Sequence, residues 1–422
     1  MAPKKILISG AGITGNSLAF WLSKLGHNVT IVERFPSLRA SGLQIDLRSH
    51  GIEVMKRMGL EDAFKAHSIP ERGMEVVNKA GKRQAFFPAN DSINPSLGFS
   101  TKYEIMRGDL CRIIYDLSKS RAKYIFGTSI ESYEDNDKEK TINVRFANAT
   151  EDTFDLVIGA DGQGSRTRKM MLGREAPDAF RPLNGRYIGY FTFPQPIKEG
   201  EGYVATMYSA PGGRGIMLRR HNAQEIQAYL GGQTNSEQLK EHLRGDVAEQ
   251  KEALKEMIQG AGWRADEILG YLKDSKNFYC ERLGMVKMPH WSRGRVALVG
   301  DAAYCPSVMT GMGTTSGIVG AYVLAGEIGR HCGEPAEKGN GSLMAAIQAY
   351  EQTFRPFVNQ VQAGVAEDEG LWDKISGTAF GIALGNYLMG ASSLLRLDVL
   401  SKVSTDPVKN WKLPTYKELL RD

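Results

Sequence analysis

Two glycine-bearing turns, far apart in the chain, hold the residues whose types and spacing point to chemistry. The first is Ile6-Leu7-Ile8-Ser9-Gly10-Ala11-Gly12-Ile13-Thr14-Gly15, an apolar run that enters a glycine turn before a helical pattern opens at Asn16. Gly10, Gly12 and Gly15 have the G-x-G-x-x-G spacing. Glycine lets a backbone turn sharply and approach a pyrophosphate, and the helix start supplies N–H donors and a positive dipole end. A second apolar run, Asn28–Val32, ends in Glu33, where an acid meets a ribose 2′-hydroxyl. FAD, NAD and a ligand-free structural turn all fit this stretch.

The second turn follows the apolar run Val296–Val299 and reads Gly300-Asp301-Ala302-Ala303, then Tyr304-Cys305-Pro306 and Gly311-Met312-Gly313. A long apolar helix is predicted from Thr314 to Ile328. Asp301 sits at a strand's C-terminal end, where α/β sheets bind ligands, and can accept from a ribityl hydroxyl. The N–H groups opening the helix near Gly313 can face the electron-rich end of a flavin ring. A capped helix with a satisfied aspartate is the ligand-free alternative. Between the two turns lie Arg107, just before a helix, and Asp161-Gly162, ending the apolar run from Phe154.

The elements needed to position these residues read as α/β: a Rossmann-like dinucleotide-binding domain with an inserted antiparallel-sheet domain and a C-terminal helical segment. The boundaries are expected at 1–180 with 285–355 for the first, 181–284 for the insert and 356–422 for the last. The insert is marked by alternating, aromatic-rich runs at Tyr187–Phe193, Gly202–Tyr208, Ile216–Arg219 and Glu225–Leu230. A charged helical stretch from Ser236 to Met257 is predicted to cover that sheet. The stretch Thr378–Leu395 is uncharged but rich in Gly, Ser and Asn, and predicts a buried C-terminal helix pair rather than a membrane anchor.

At 422 residues, with 53 Lys+Arg against 48 Asp+Glu, the net charge of +5 is too small and dispersed to argue for nucleic acid. Cys111, Cys280, Cys305 and Cys332 are widely spaced, which predicts free thiols and a cytoplasmic location. None of the seven histidines has metal-ligand spacing, so no metal is expected. A small-molecule partner, no membrane partner, and a monomer or homodimer complete the expectation.

Taken in order, Gly10/Gly12/Gly15 with Glu33, Arg107, Asp161-Gly162 and Gly300-Asp301 resemble the single-component FAD-dependent aromatic hydroxylases, the group A flavin monooxygenases with the p-hydroxybenzoate hydroxylase fold. Ser41–Leu60 and the G-D-A-A turn most resemble the branch that includes the tetracycline-inactivating flavin monooxygenases and their bacterial and fungal relatives. The resemblance implies FAD held by Gly10, Gly12, Gly15, Glu33, Arg34, Asp46, Arg107, Asp161, Gly162, Asp301, Gly311, Met312 and Gly313. It implies NADPH or NADH as transient reductant, met by Arg39, and oxygen transfer through a C4a-hydroperoxyflavin to an aromatic or polyketide-like substrate. No acid, base or nucleophile is named, because this chemistry needs none. Tyr190, Phe191, Met207, Arg214, Met217 and Tyr229 of the insert, with Pro306 and Met309 from the flavin side, are the candidate substrate contacts. The loop Tyr304–Thr310 departs from the Pro-Pro-containing loop of the tetracycline-inactivating relatives, which bears on substrate and not on cofactor. A flavin-dependent halogenase would carry W-x-W-x-I-P, which is absent. A reductase of the geranylgeranyl-reductase type, which shares the FAD core without inserting oxygen, is the alternative.

Overall fold

Runs such as Ile6–Ile8 and Leu156–Ile158, apolar without alternation, must be covered on both faces, and they form the middle of a parallel sheet. The computed structural model of the chain describes residues 3–39, 42–89, 103–173, 175–333, 343–363, 365, 377–394, 408 and 410–420. The first half runs β1 (Lys5–Ser9), α1 (Ile13–Lys24), β2 (Asn28–Glu33), β3 (Gln44–Asp46), α2 (His50–Arg57), α3 (Glu61–His67), β4 (Gly73–Val77), β5 (Arg83–Pro88), β6 (Glu104–Met106), α4 (Arg107–Ser118), β7 (Lys123–Phe126), β8 (Ile130–Asn136), β9 (Thr141–Phe146), β10 (Glu151–Phe154), β11 (Leu156–Gly159) and α5 (Arg166–Leu172). There follow β12 (Phe180–Pro194), β13 (Ala205–Ala210), β14 (Arg214–Arg219), β15 (Glu225–Gln233), α6 (Glu237–His242), α7 (Val247–Ile258), α8 (Ala265–Leu272), β16 (Tyr279–Val286), β17 (Ser292–Arg293), β18 (Val296–Leu298), α9 (Asp301–Tyr304), α10 (Gly313–Cys332), α11 (Leu343–Ala363), α12 (Ala379–Leu394) and α13 (Lys417–Leu420).

The six-stranded sheet has the order β17-β18-β11-β1-β2-β7, with β7, β2, β1, β11 and β18 parallel. Both glycine turns therefore leave the same, C-terminal edge of the sheet, from β1 and β18 on either side of β11. The seven-stranded sheet has the order β16-β12-β15-β14-β13-β4-β5. It is antiparallel except where β13 meets β4 in parallel, so the insert takes a hairpin, Gly73–Pro88, from the N-terminal part of the chain. Strand alternation sends Phe191, Phe193, Ile216, Leu218 and Ala228 to one face, where Leu254, Ile258 and Ile268 of the helical cover bury them. The opposite face turns toward the parallel-sheet unit.

A buried charge cluster joins the two. Arg219 on β14 donates to both oxygens of Glu71, at 2.6 and 2.8 Å, and lies 3.0 Å from Glu104 on β6. Gln44 on β3 donates its side-chain N–H to Glu71 at 2.9 Å, and its backbone N–H to Gln227 of β15 at 3.1 Å. Two carboxylates share one guanidinium in a dry interface. Burial, with Asp46 and Glu71 adding to it against the pull of Arg219, pushes Glu104 up to about 7.

The C-terminal part divides between the two units. Trp411 donates to the Thr353 carbonyl at 2.9 Å, and Tyr416 donates to the buried Glu327 of α10 at 2.7 Å. In contrast, α12 lies against β5, where Ser393 Oγ donates to the Phe86 carbonyl at 2.6 Å. The expected buried helix pair is not found here: α12 has no buried residue among those described, because only one of its sides meets the sheet. The last residue of the expected stretch, at 395, lies outside the described residues.

The charge cluster generates a pH dependence. A carboxylate whose native pKa is raised holds its proton more tightly when folded. Its contribution to stability is thus full below the ordinary carboxylate range and is lost as pH rises through about 7. Urea unfolding followed from pH 5 to 8 will show a falling midpoint, and Glu104→Gln will flatten that slope. Arg219→Met, which strands two buried carboxylates, will cost about 3–5 kcal/mol; a midpoint within error of the parent protein at pH 8 would show that the cluster does not bind the units together.

Candidate functional site

The first turn is shaped by contacts that no side chain could tolerate. Gly10 has φ +107°, and a Cβ there would lie 2.7 Å from the Ala160 carbonyl oxygen. At Gly15 a Cβ would collide with the Gly10 carbonyl, so the helix can pack directly under the turn. Gly12 is different. It caps α1 with ordinary backbone angles and no side-chain cap, and a Cβ there would meet only Arg107 Nη2, at 3.9 Å. Its missing side chain leaves an open groove. Glu33, ending β2, accepts from Ala11 N–H at 2.9 Å and Phe35 N–H at 3.1 Å, which holds its carboxylate over the turn. Arg34 is exposed and lies over the Phe35 ring.

The second turn is built on Gly300, with φ +66°, where a Cβ would stand 2.7 Å from Thr14 Oγ1 of α1. Asp301 opens α9. Burial raises its pKa, while Arg107 and the Cys305 thiol lower it. Its Oδ1 is 3.9 Å from where a Gly313 Cβ would be, so at Gly313, as at Gly12, the absent side chain serves no packing contact. Helix α10 starts there without a side-chain cap, and Ser316 Oγ in its first turn is buried without a protein partner. Gly311 has φ +61°, and a Cβ there would come within 3.4 Å of the Arg48 guanidinium, which pairs with Asp46. Ser49 and Ser307, both at positive φ, flank this region and mark strained backbone beside it.

The groove thus runs from Gly12 past Arg107 to Asp301 and Gly313, with an uncapped helix start at each end and a guanidinium between them. Two open helix N-termini and an arginine attract an anion, and a carboxylate at each half, Glu33 and Asp301, accepts from sugar or ribityl hydroxyls. The residues present therefore fit a flavin dinucleotide lying along this strip. Asp161-Gly162 has a different place. The Asp161 carboxylate accepts from Ser165 Oγ at 2.5 Å and from the Thr167 N–H and hydroxyl, both at 3.0 Å, which starts α5. That helix delivers Arg168, fully buried, whose guanidinium donates to the Ala302 carbonyl at 3.0 Å, the Gln163 carbonyl at 2.7 Å and Asp178 at 2.7 Å. Arg168 fixes the Gly300-Asp301 turn. Only its place in a polar helix start, Ser165-Arg166-Thr167-Arg168, hints at this in the sequence.

Facing the groove is a row of side chains in register across the seven-stranded sheet: Tyr279, Tyr190, Tyr229, Met217 and Met207 on β16, β12, β15, β14 and β13. Tyr190 stands edge-on to Tyr229 at 5.2 Å and stacks with Tyr279 at 6.1 Å. Glu281, on the same face, accepts from Tyr190 OH at 3.0 Å and Tyr279 OH at 3.3 Å, and burial raises its pKa. Arg39 bends over the Tyr279 ring at 5.0 Å, and burial together with the nearby Arg107 lowers its pKa. Phe191 and Arg214 sit on the opposite face of the sheet. Phe191 is packed under the helical cover, and Arg214 donates to the Pro211 and Gln259 carbonyls. Pro306 is buried beside the second turn, and Met309 is exposed. Glu281, Arg168, and the Glu71–Arg219–Glu104 cluster are the site's neighbours that sequence reasoning missed.

With this geometry described, comparison with known proteins is informative. The FAD binding domain family matches residues 4–364. The chain is 48% identical, over the full length of both proteins, to the FAD-dependent monooxygenase asL4 of Sarocladium schorii. It is 40% identical to the flavin-dependent monooxygenase eupH of a Phoma species, over 85% of each. Among solved structures it resembles the tetracycline destructase Tet(55) with a TM-score of 0.76 at 27% identity, covering 98% of this chain and 99% of that one.

The glycines without packing contacts give the sharpest test of the groove. Gly12→Val and Gly313→Val will lower the flavin absorbance per protein of purified samples by about tenfold or more, with far-ultraviolet circular dichroism unchanged. Retention of full yellow colour in both variants would place the cofactor elsewhere.

Proposed function

The chain belongs to the FAD-dependent monooxygenases, and from that premise we propose that it oxygenates a flat, apolar, aromatic or polyketide-like small molecule bound between the flavin groove and the Tyr–Met row. FAD, when bound and reduced by NAD(P)H, supplies activated oxygen from O₂. The protein's residues do the rest. Glu33, Arg107 and Asp301 hold the dinucleotide along the groove, with Gly12 and Gly313 leaving it room. Tyr190, Tyr229, Met217 and Met207 present a wall of ring faces and thioethers that suits a flat apolar molecule and keeps water from the reacting centre.

The observation that carries this reading is the registered row itself. Five side chains from five strands point to the same side, and the hydroxyls of Tyr190 and Tyr279 are taken up by Glu281. The polar ends of these two rings are thereby satisfied within the protein, which leaves the row apolar. Relatives named as monooxygenases over most or all of their length favour oxygen insertion over the reductase alternative. Tet(55), a tetracycline destructase by name, is in keeping with a fused-ring substrate. Arg39, with Arg34 nearby, lines the rim above Tyr279 and is assigned to the transient meeting with the anionic reductant. The 310 Å³ cavity lined by Trp291, Tyr304, Arg355 and Gln362 lies behind α9, away from the row, and has no part in this assignment.

Incubation with NADPH, ¹⁸O₂ and a panel of fused-ring aromatic compounds will give substrate-stimulated NADPH oxidation and a product heavier by one labelled oxygen. Product without label would return the reductase reading, and stimulation by small charged acids alone would remove the proposed substrate class. Met217→Trp, which fills the middle of the row, will raise KM about tenfold or more with flavin content unchanged. Arg39→Ala will raise the KM for NADPH several-fold without loss of bound flavin.

A further inference from the structure

We propose that the outer face of α12 is a docking surface for an anionic lipid bilayer, on which the protein lies without spanning it. The helix is Ala379–Leu394, AFGIALGNYLMGASSL, with no charged residue. Phe380, Leu384, Tyr387, Leu388 and Leu394 occur at i, i+4, i+7, i+8 and i+14, which places them on one stripe. All five are exposed, Phe380 and Tyr387 at 73% and Leu394 at 86%. On the other side of the helix Met389 packs against the cluster of Met74, Val76, Ala85, Phe87 and Ala205, and Gly390 and Ser393 meet the backbone of β5. An uncharged helix with large apolar side chains on its outer stripe needs cover there too, and the sheet covers only the inner side.

The charge beside the stripe chooses the occupant. The strand on which α12 rests is entered through the turn of the β4–β5 hairpin, where Lys79, Lys82 and Arg83 are all exposed. Arg83 comes within 4.0 Å of Glu75, and Gln84, the next residue, carries the carbonyl that a Cβ on Gly390 would approach to 2.8 Å. A basic turn bordering an uncharged, aromatic-bearing stripe matches a surface with acidic headgroups above an acyl boundary. A single helical stripe is small beside the roughly 800 Å² that each partner gives to a stable protein interface. No helix among the described residues is long and apolar enough to cross a membrane, so the contact is lateral. Because Met389 of α12 and Met207 of the row pack against the same cluster, docking would set a lipid reservoir of apolar molecules near the end of the Tyr–Met row. The docking itself holds whatever the substrate proves to be.

Co-sedimentation of the flavin-loaded protein with vesicles of phosphatidylcholine alone, and of phosphatidylcholine with roughly one-third phosphatidylserine, tests this. At low salt the protein will sediment with the phosphatidylserine vesicles. The bound fraction will fall about tenfold in the triple variant Phe380→Ser, Tyr387→Ser, Leu388→Ser, and likewise in the double variant Lys82→Glu, Arg83→Glu. Flavin content and vesicle-free NADPH oxidation will match the parent in both, which separates lost docking from lost fold. Parent protein remaining in the supernatant with both vesicle types overturns the proposal, as does undiminished binding of either variant. Light scattering that shows a dimer dissolved by the triple variant would assign the stripe to a second copy of the chain instead.

Discussion

The site depends on the close crossing of α1 and α10. Thr14, in the first turn of α1, fills the space where both Gly300 and Gly317 would carry side chains; a Cβ on either would strike its hydroxyl. Gly317 lets α10 cross α1 near their N-terminal ends, and Gly300 lets the second turn sit against α1. The two glycine turns, separated by most of the chain, leave the same edge of one parallel sheet from β1 and β18, with β11 between them. Both helix starts are then uncapped and open into one groove. An anion laid along it meets two positive dipole ends and Arg107 at once. A side chain at Gly317 would push α10 away from α1, and one at Gly300 would push the second turn away from α1, so either would shift the groove through Thr14.

Two further interactions keep this geometry fixed from outside. Arg168 ties the Gly300-Asp301 turn to the end of β11 by donating to the Ala302 and Gln163 carbonyls, and Asp161 makes that possible by starting α5. The Glu71–Arg219–Glu104 cluster ties the seven-stranded sheet to β3 and β6, the strands that lead into Asp46 and Arg107. Buried ion clusters add little net stability compared with apolar packing, but they tolerate only one alignment. Here the alignment sets the distance between the Tyr–Met row and the groove. Gln227 belongs to both, accepting from Gln44 of β3 and from Tyr229 of the row.

Much of this was legible in the sequence where a local rule governs. The two turns, the helices they open and the acid ending β2 follow from glycine spacing and apolar runs, and the groove they form is where those residues were expected to meet. The substrate face is less legible: Tyr190 and Phe191 both suit it by residue type, but as adjacent strand residues they point to opposite faces. The same alternation turns Arg214 toward the Gln259 carbonyl and away from Met217. The hairpin Gly73–Pro88 gave no local sign that it would pair with β13, since a parallel partner far along the chain leaves no trace in composition. Glu281 is hidden for a similar reason: Tyr279 lies two residues before it on the same strand, but Tyr190 becomes its neighbour only through the β12–β16 pairing. The uncharged stretch Thr378–Leu395 reads as a buried helix pair, yet its described part is a helix with no buried residue, since sequence carries no record of which sides a fold will leave bare.

The electrostatics of the groove explain why Arg107 occupies its centre. Asp301 and Glu281 both lie in its wall, and burial pushes both toward the neutral acid while Arg107 pulls both toward the carboxylate. Without that guanidinium, two buried carboxylates would face each other across a site meant for a pyrophosphate, and like charge would oppose the ligand. With it, Asp301 can remain a hydrogen-bond acceptor beside an anionic ligand, and Glu281 can accept from two tyrosines instead of repelling what lies between them. Arg107 is in turn held by its backbone N–H, which donates to the Leu43 carbonyl at 2.8 Å, and by Gly42, where a Cβ would press on its side chain at 3.0 Å. The short pairing of β3 with β6 thus aims one cation at the point where the demands of cofactor and substrate wall meet.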